Sequence, residues 1–268
     1  MLPNYLIIGA ARSGTTWLAK NLMLHPEVFM PAKKEIHFFD RHYEKGLEWY
    51  KAIFEGSSEK AVGEATPDYL YFPHIPSLIH KHMPDIRLIV SLRNPVERAY
   101  SHYWNLIARA GISQRYCGIS FEEMIMVPPR LVEEGMYATK LKGYYQLFPR
   151  ENFLILIYDD LKENPEKFLK SLYSFLGVDA GFISPLAEYK VNAKSSKLGR
   201  SMALYFSYRA SIKLGFYKLA NLIDIINKKG LPDMSIETKK ELLEKYYLRE
   251  ISELEQMINR DLSAWKRV

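Results

Sequence analysis

Short, unbroken apolar runs alternate along this chain with stretches whose apolar residues recur every three or four positions. Residues 4–8, 86–92 and 152–158 read as buried strands, and residues 61–65 as a shorter one. Helical spacing follows at residues 15–24, 43–54, 75–82, 95–110 and 131–148. His25-Pro26 closes the first of these helices, and Pro95 suits the first turn of the fourth. Ser120 and Glu123 have the spacing of a capping box. Asn164-Pro165 opens a further helix that Gly177 ends. Strands that are apolar on both faces, each followed by a helix, predict a central parallel sheet in a three-layer α/β/α domain. Residues 178–200 read as an irregular basic loop, and residues 201–262 as almost wholly helical with a break near Gly230-Leu-Pro232.

Composition narrows the picture. A chain of 268 residues fits one domain, here an α/β core over 1–180 followed by a basic loop and helical part over 181–268. The apolar fraction of 48% and the charged fraction of 25% are those of a soluble globular protein. The net charge of +6 suits anionic ligands, although solubility alone also explains an excess of this size. The positive charge is not gathered into one dense run, so no nucleic-acid partner is expected. The single cysteine, Cys117, excludes an internal disulfide and a cysteine-ligated metal cluster, and points to a reducing compartment. The first strand follows Met1 directly, with no basic leader, and no apolar run is long enough to span a membrane. A cytoplasmic location is the expectation.

Four clusters carry chemistry. In the first, the strand at 4–8 runs into Gly9-Ala-Ala-Arg12-Ser13-Gly14-Thr15-Thr16-Trp17 and then into a helix. Loop and helix N–H groups converging on one spot, backed by the helix dipole, form an anion grip. The spacing of Gly9 and Gly14 matches the nucleotide-triphosphate loop, which makes the fold P-loop-like. Thr15 stands where that pattern requires lysine, and the cation is Arg12. The second cluster is Arg93-Asn-Pro-Val-Glu-Arg98-Ala-Tyr-Ser101, at the carboxyl end of the 86–92 strand, where ligands of open α/β sheets gather. Arg93 offers a planar fork to a phosphate and Ser101 a hydroxyl two turns on. The plainer alternative pairs Arg93 with an acidic neighbour. The third cluster is Lys34-Glu35-Ile-His37-Phe-Phe-Asp40. In an extended segment Glu35 and His37 face one side as candidate proton acceptors; otherwise this is a surface loop anchored by its phenylalanines. The fourth, Gly63-Glu64-Ala65-Thr66-Pro-Asp-Tyr69, either brings Glu64 or Thr66 to a site or is a simple strand-to-turn segment. No convincing metal-ligand cluster is visible.

These clusters, in this order, resemble the sulfotransferase superfamily, whose enzymes use 3'-phosphoadenosine 5'-phosphosulfate (PAPS). The run from Ala32 to Asp40 and Gly46-Leu-Glu-Trp-Tyr50 look most like the heparan-sulfate branch and its bacterial relatives. The resemblance covers roughly residues 4–180. It implies that Arg12 neutralises the leaving phosphate, while Ser13, Gly14, Thr15, Thr16 and Trp17 line the 5'-phosphosulfate loop. Arg93 and Ser101 match the 3'-phosphate site. Glu35 matches the carboxylate proposed as base, with His37 the other candidate. Lys197 and Arg200, with Lys194, fall where the family places a basic loop over PAPS. The reaction implied is in-line sulfuryl transfer to a hydroxyl or amine, without a metal.

One departure is plain: that branch carries a lysine where this chain has Ala65, so an active-site cation is missing or supplied from elsewhere. The acceptor stays open among small molecules, glycans and lipids. The stretch 205–220, which interleaves aromatics with cations, is core, acceptor lid or a peripheral membrane face. Two rival functions remain beside the enzyme. A nucleotide kinase or ATPase needs the absent lysine, and a non-catalytic PAP-binding protein has Ala65 in its favour.

Overall fold

The computed structural model describes residues 1–110, 120–126, 130–187, 207, 211 and 234–268. Cys117, Lys194, Lys197, Arg200, most of the 205–220 stretch and the expected break at 230–232 lie outside them. Five strands, β1 (Tyr5–Gly9), β2 (Val28–Phe29), β3 (Ala61–Ala65), β4 (Arg87–Leu92) and β5 (Phe153–Ile157), form one sheet in the order β2-β3-β1-β4-β5. Every pairing is parallel. The expected three-layer architecture is present.

The sheet divides two cores, and alternation along each strand shows how. Leu6 and Ile8 of β1 join one core with Leu88, Val90 and Leu92 of β4. Tyr5 and Ile7 face the other, with Ile89. The helix Thr15–Leu22 after β1 packs into the second core through Trp17, Leu18 and Leu22. The helix Pro95–Ala110 after β4 packs into the first through Val96, Ala99 and Tyr103. The connections after two neighbouring strands therefore leave on opposite faces, which opens a crevice at their carboxyl ends.

Local signals set most boundaries. Asn164 Oδ1 accepts from the Lys167 N–H and Gly177 closes the same helix at φ 74°. Ser120 and Glu123 form the reciprocal capping box, with bonds of 2.7 and 3.1 Å. Two expectations need correction, and one strand went unforeseen. The helix expected over 43–54 is split at Gly46, whose φ of 80° no helix accommodates, into a short 3-10 turn and the helix Leu47–Ala52. The helix expected over 131–148 is broken between Glu133 and Tyr137. The pair β2 is too short to leave a periodic signal.

One buried ion network ties the first core together. Arg98 is fully buried, donating to Glu134 Oε2 at 2.9 Å and to the Leu131 carbonyl. His102 Nδ1 lies 2.8 Å from the same Glu134 oxygen. Tyr71, Tyr137 and Tyr247 surround the guanidinium closely enough to interact with its charge.

Candidate active site

The loop over residues 9–14 is held from below by the neighbouring strand and by Tyr71. Ala10 N–H donates to the Ser91 carbonyl at 2.8 Å, and Ser91 Oγ donates to the Ser13 carbonyl at 2.6 Å. Ala11 N–H donates to Tyr71 Oη at 2.7 Å. Burial pushes the Tyr71 phenol well above its ordinary range, so that oxygen stays a neutral partner. Gly14 caps the Thr15–Leu22 helix in the left-handed conformation, φ 86°, and no side chain caps the first turn. The Trp17 N–H turns back to the Gly14 carbonyl at 2.9 Å, so the N–H groups of Thr15 and Thr16 are the ones suited to an anion. A Cβ on Gly14 would lie 3.1 Å from the Tyr158 ring, so the position accepts glycine on two counts. Ser13 and Thr15 are buried, and Trp17 is too, edge-on to Phe168 at 6.1 Å.

The second cluster meets the first. Arg12 Nε donates to Ser101 Oγ at 3.2 Å and its Nη1 to Asn105 Oδ1 at 3.4 Å. The two anion motifs, 89 residues apart, therefore share one crevice. Arg93 lies over the Tyr158 ring, 5.2 Å from its centroid, and the Gly14 turn approaches the same ring. Its guanidinium pairs with Glu97 at 2.8 Å, so the plainer reading of Arg93 is also present. An exposed pair one helical turn apart is worth only about 0.3–0.5 kcal/mol. Releasing Arg93 from Glu97 to another anion therefore costs little. The Trp265 indole donates to Asp159 Oδ2 at 2.8 Å, and Asn94 Nδ2 to the Trp265 carbonyl at 3.3 Å, bracing these strand ends.

The third cluster departs from the extended segment expected of it. Glu35 (φ 65°) and His37 (φ 58°) are both left-handed, a conformation that costs a non-glycine residue about 1–3 kcal/mol. The outcome still brings the pair together, with His37 Nε2 3.9 Å from Glu35 Oε2. His37 Nδ1 lies 2.8 Å from Asp40 Oδ2, which fixes the ring.

The strain is borne by Glu64. This fully buried carboxylate accepts from Thr66 Oγ1 at 2.6 Å, Tyr69 Oη at 2.8 Å and Tyr50 Oη at 2.9 Å, and from the Ile36 N–H. Glu35 N–H donates to the Ala65 carbonyl at 3.1 Å and His37 N–H to Thr66 Oγ1 at 3.3 Å. Glu64 is thus an anchor under the Glu35–His37 step, not a group facing the crevice. Burial raises its pKa above the ordinary 4.5 despite the four donors. The folded state then binds the Glu64 proton more tightly than the unfolded chain. That contribution is present at low pH and is lost as pH rises from about 4.5 through the folded-state value. Thermal melts at stepped pH should show wild type losing stability relative to Glu64→Gln over this window. Parallel curves would refute the assignment.

Two features escaped the sequence reading. Lys34 Nζ reaches Thr16 Oγ1 at 2.8 Å, Thr15 Oγ1 at 3.3 Å and Glu35 Oε1 at 3.4 Å. Among the described residues, His37, Asp40 and Asp68 also bring potential metal-ligand atoms within 4.8 Å of one another. Arg41 already spans that trio, 2.7 Å from Asp68 and 3.4 Å from Asp40. Partners 18 to 31 residues distant give no local signal.

Comparison with known proteins now fits this geometry. The sequence pattern of the sulfotransferase domain matches residues 2–197, and the chain belongs to the sulfotransferase family. It is similar to human heparan sulfate glucosamine 3-O-sulfotransferase 6, at 33% identity over 66% of this chain and 52% of that protein. The mouse 3-O-sulfotransferase 3A1 is 31% identical over 66% of this chain and 46% of its own length. The chain thus spans about half the length of these relatives. The crystal structure of a sulfotransferase from Alicyclobacillus acidocaldarius superposes with a TM-score of 0.75 at 25% identity, covering 100% of both chains. The sulfotransferase domain of the curacin biosynthetic pathway shares the fold, with a TM-score of 0.51 over 72% of this chain and 79% of that one. No helix among the described residues is long and apolar enough to cross a membrane.

Proposed function

We propose that this protein transfers the sulfuryl group of PAPS to an acceptor hydroxyl, with a glycan as the first acceptor class to test. The observation that carries the reading is the Arg12–Ser101 contact, which joins two anion grips in one crevice beside Glu35 and His37. The residues present fit the donor. An uncapped helix N-terminus, a glycine backed by an aromatic ring, and Arg12 form one grip, and Arg93 with Ser101 the other. Relatives named as heparan sulfate sulfotransferases support the glycan.

PAPS, when bound, supplies an activated sulfuryl group on a phosphate leaving group. The chain does the rest. Arg12 and the N–H groups at Gly14–Thr16 hold and neutralise the 5'-phosphate as charge grows there. Arg93 and Ser101 hold the 3'-phosphate and so fix the nucleotide for in-line attack. Glu35 takes the proton from the acceptor hydroxyl, and His37, held by Asp40, orients that hydroxyl.

Calorimetry with PAP is the direct test, followed by labelled-PAPS transfer to heparan sulfate oligosaccharides. Arg93→Ala should weaken PAP binding by about 10–100-fold, the worth of a charged hydrogen bond. Unchanged affinity would remove Arg93 from the second grip. ATP binding in preference to PAP would favour the kinase reading instead.

A further inference from the structure

The branch this chain resembles has a lysine where β3 ends in Ala65, and Ala65 is buried. A cation nevertheless stands in the crevice. Lys34 is mostly buried, with 17% of its side chain exposed, and its ammonium bridges the Thr15 and Thr16 hydroxyls and the Glu35 carboxylate.

We propose that Lys34 is a positioning residue that couples the anion grip to the proton acceptor. This rests on the loop being the 5'-phosphate site. A hydroxyl has two lone pairs and one proton. Where the Lys34 ammonium takes a lone pair on Thr15 and Thr16, each hydroxyl proton is left to another acceptor. The two threonines become preset donors at the mouth of the helix N-terminus. The same ammonium holds Glu35 within 3.4 Å, so the base is registered to the grip and not to its own loop alone. When Glu35 takes the acceptor proton it becomes neutral, and the positive charge it had balanced turns to the phosphate oxygen that gains negative charge as the sulfuryl group leaves. Lys34 thereby supplies the cation that Ala65 does not.

A double-mutant cycle on PAP affinity tests this. Lys34→Met keeps the stem and removes the ammonium; Thr16→Val removes one hydroxyl. Each is expected to weaken the dissociation constant about tenfold. If Lys34 acts through the hydroxyl, the double variant falls well short of the hundredfold product, by about fivefold or more. Multiplicative effects, or an unchanged Lys34→Met, would overturn the role. Lys34→Gln serves the same cycle should the methionine variant not fold. Wild-type protein that binds no PAP would sink the sulfuryl-transfer reading itself and this role with it. PAP binding that ignores Lys34 would sink this role alone.

Discussion

Replacing Glu35 with alanine is expected to lower turnover by about 10²–10⁴-fold, the usual worth of a positioned general base. That is roughly 3–5 kcal/mol of barrier. PAP affinity should change little, because the N–H groups and arginines of the grips stay in place. The measurement is labelled-PAPS transfer to a heparan sulfate oligosaccharide, with PAP calorimetry on the same preparation. The split between kcat and binding separates the base from its surroundings. Turnover equal to wild type would take Glu35 out of the role and pass it to His37, which lies 3.9 Å away with its own carboxylate partner.

The largest stability effect belongs to Arg98. Arg98→Met takes from Glu134, itself buried, its guanidinium partner, and breaking such a pair costs about 3–5 kcal/mol. For a chain of this size that corresponds to a fall on the order of 10 °C in Tm. The double variant Arg98→Met/Glu134→Leu removes both charges and should recover most of the loss. A single variant as stable as wild type would mean that the pair contributes nothing. The same change should weaken PAP binding, because Arg98 faces Tyr71, whose hydroxyl receives the Ala11 N–H of the phosphate loop. Calorimetry below the melting range separates the two effects.

What the chain announced beforehand follows from how local each signal is. Strands β1, β4 and β5 were legible because each packs apolar residues against both cores, fully in β1 and β4 and partly at the edge strand β5, which forces unbroken apolar runs. Asn164, Gly177 and the Ser120–Glu123 box mark their helix ends through bonds spanning at most a few residues. The anion loop was legible for the same reason. The left-handed Glu35 and His37 were not, since neither residue type requires positive φ and the bonds that hold them run to the Glu64 cage. Lys34 read as one lysine in a charged loop until the fold brought it to Thr16. Arg93 was placed at a strand end, and the alternative that pairs it with an acidic neighbour is met by Glu97 one helical turn on.

The Glu64 cage also bears on how such a protein diversifies. Its members, Tyr50, Thr66, Tyr69 and the Ile36 amide, all fall between positions 36 and 69. Arg12, by contrast, reaches to Ser101 and Asn105. A lineage rewriting that one stretch would exchange the support beneath the Glu35–His37 step as a cassette, while the Arg12 contacts, wired through distant partners, keep their own bonds.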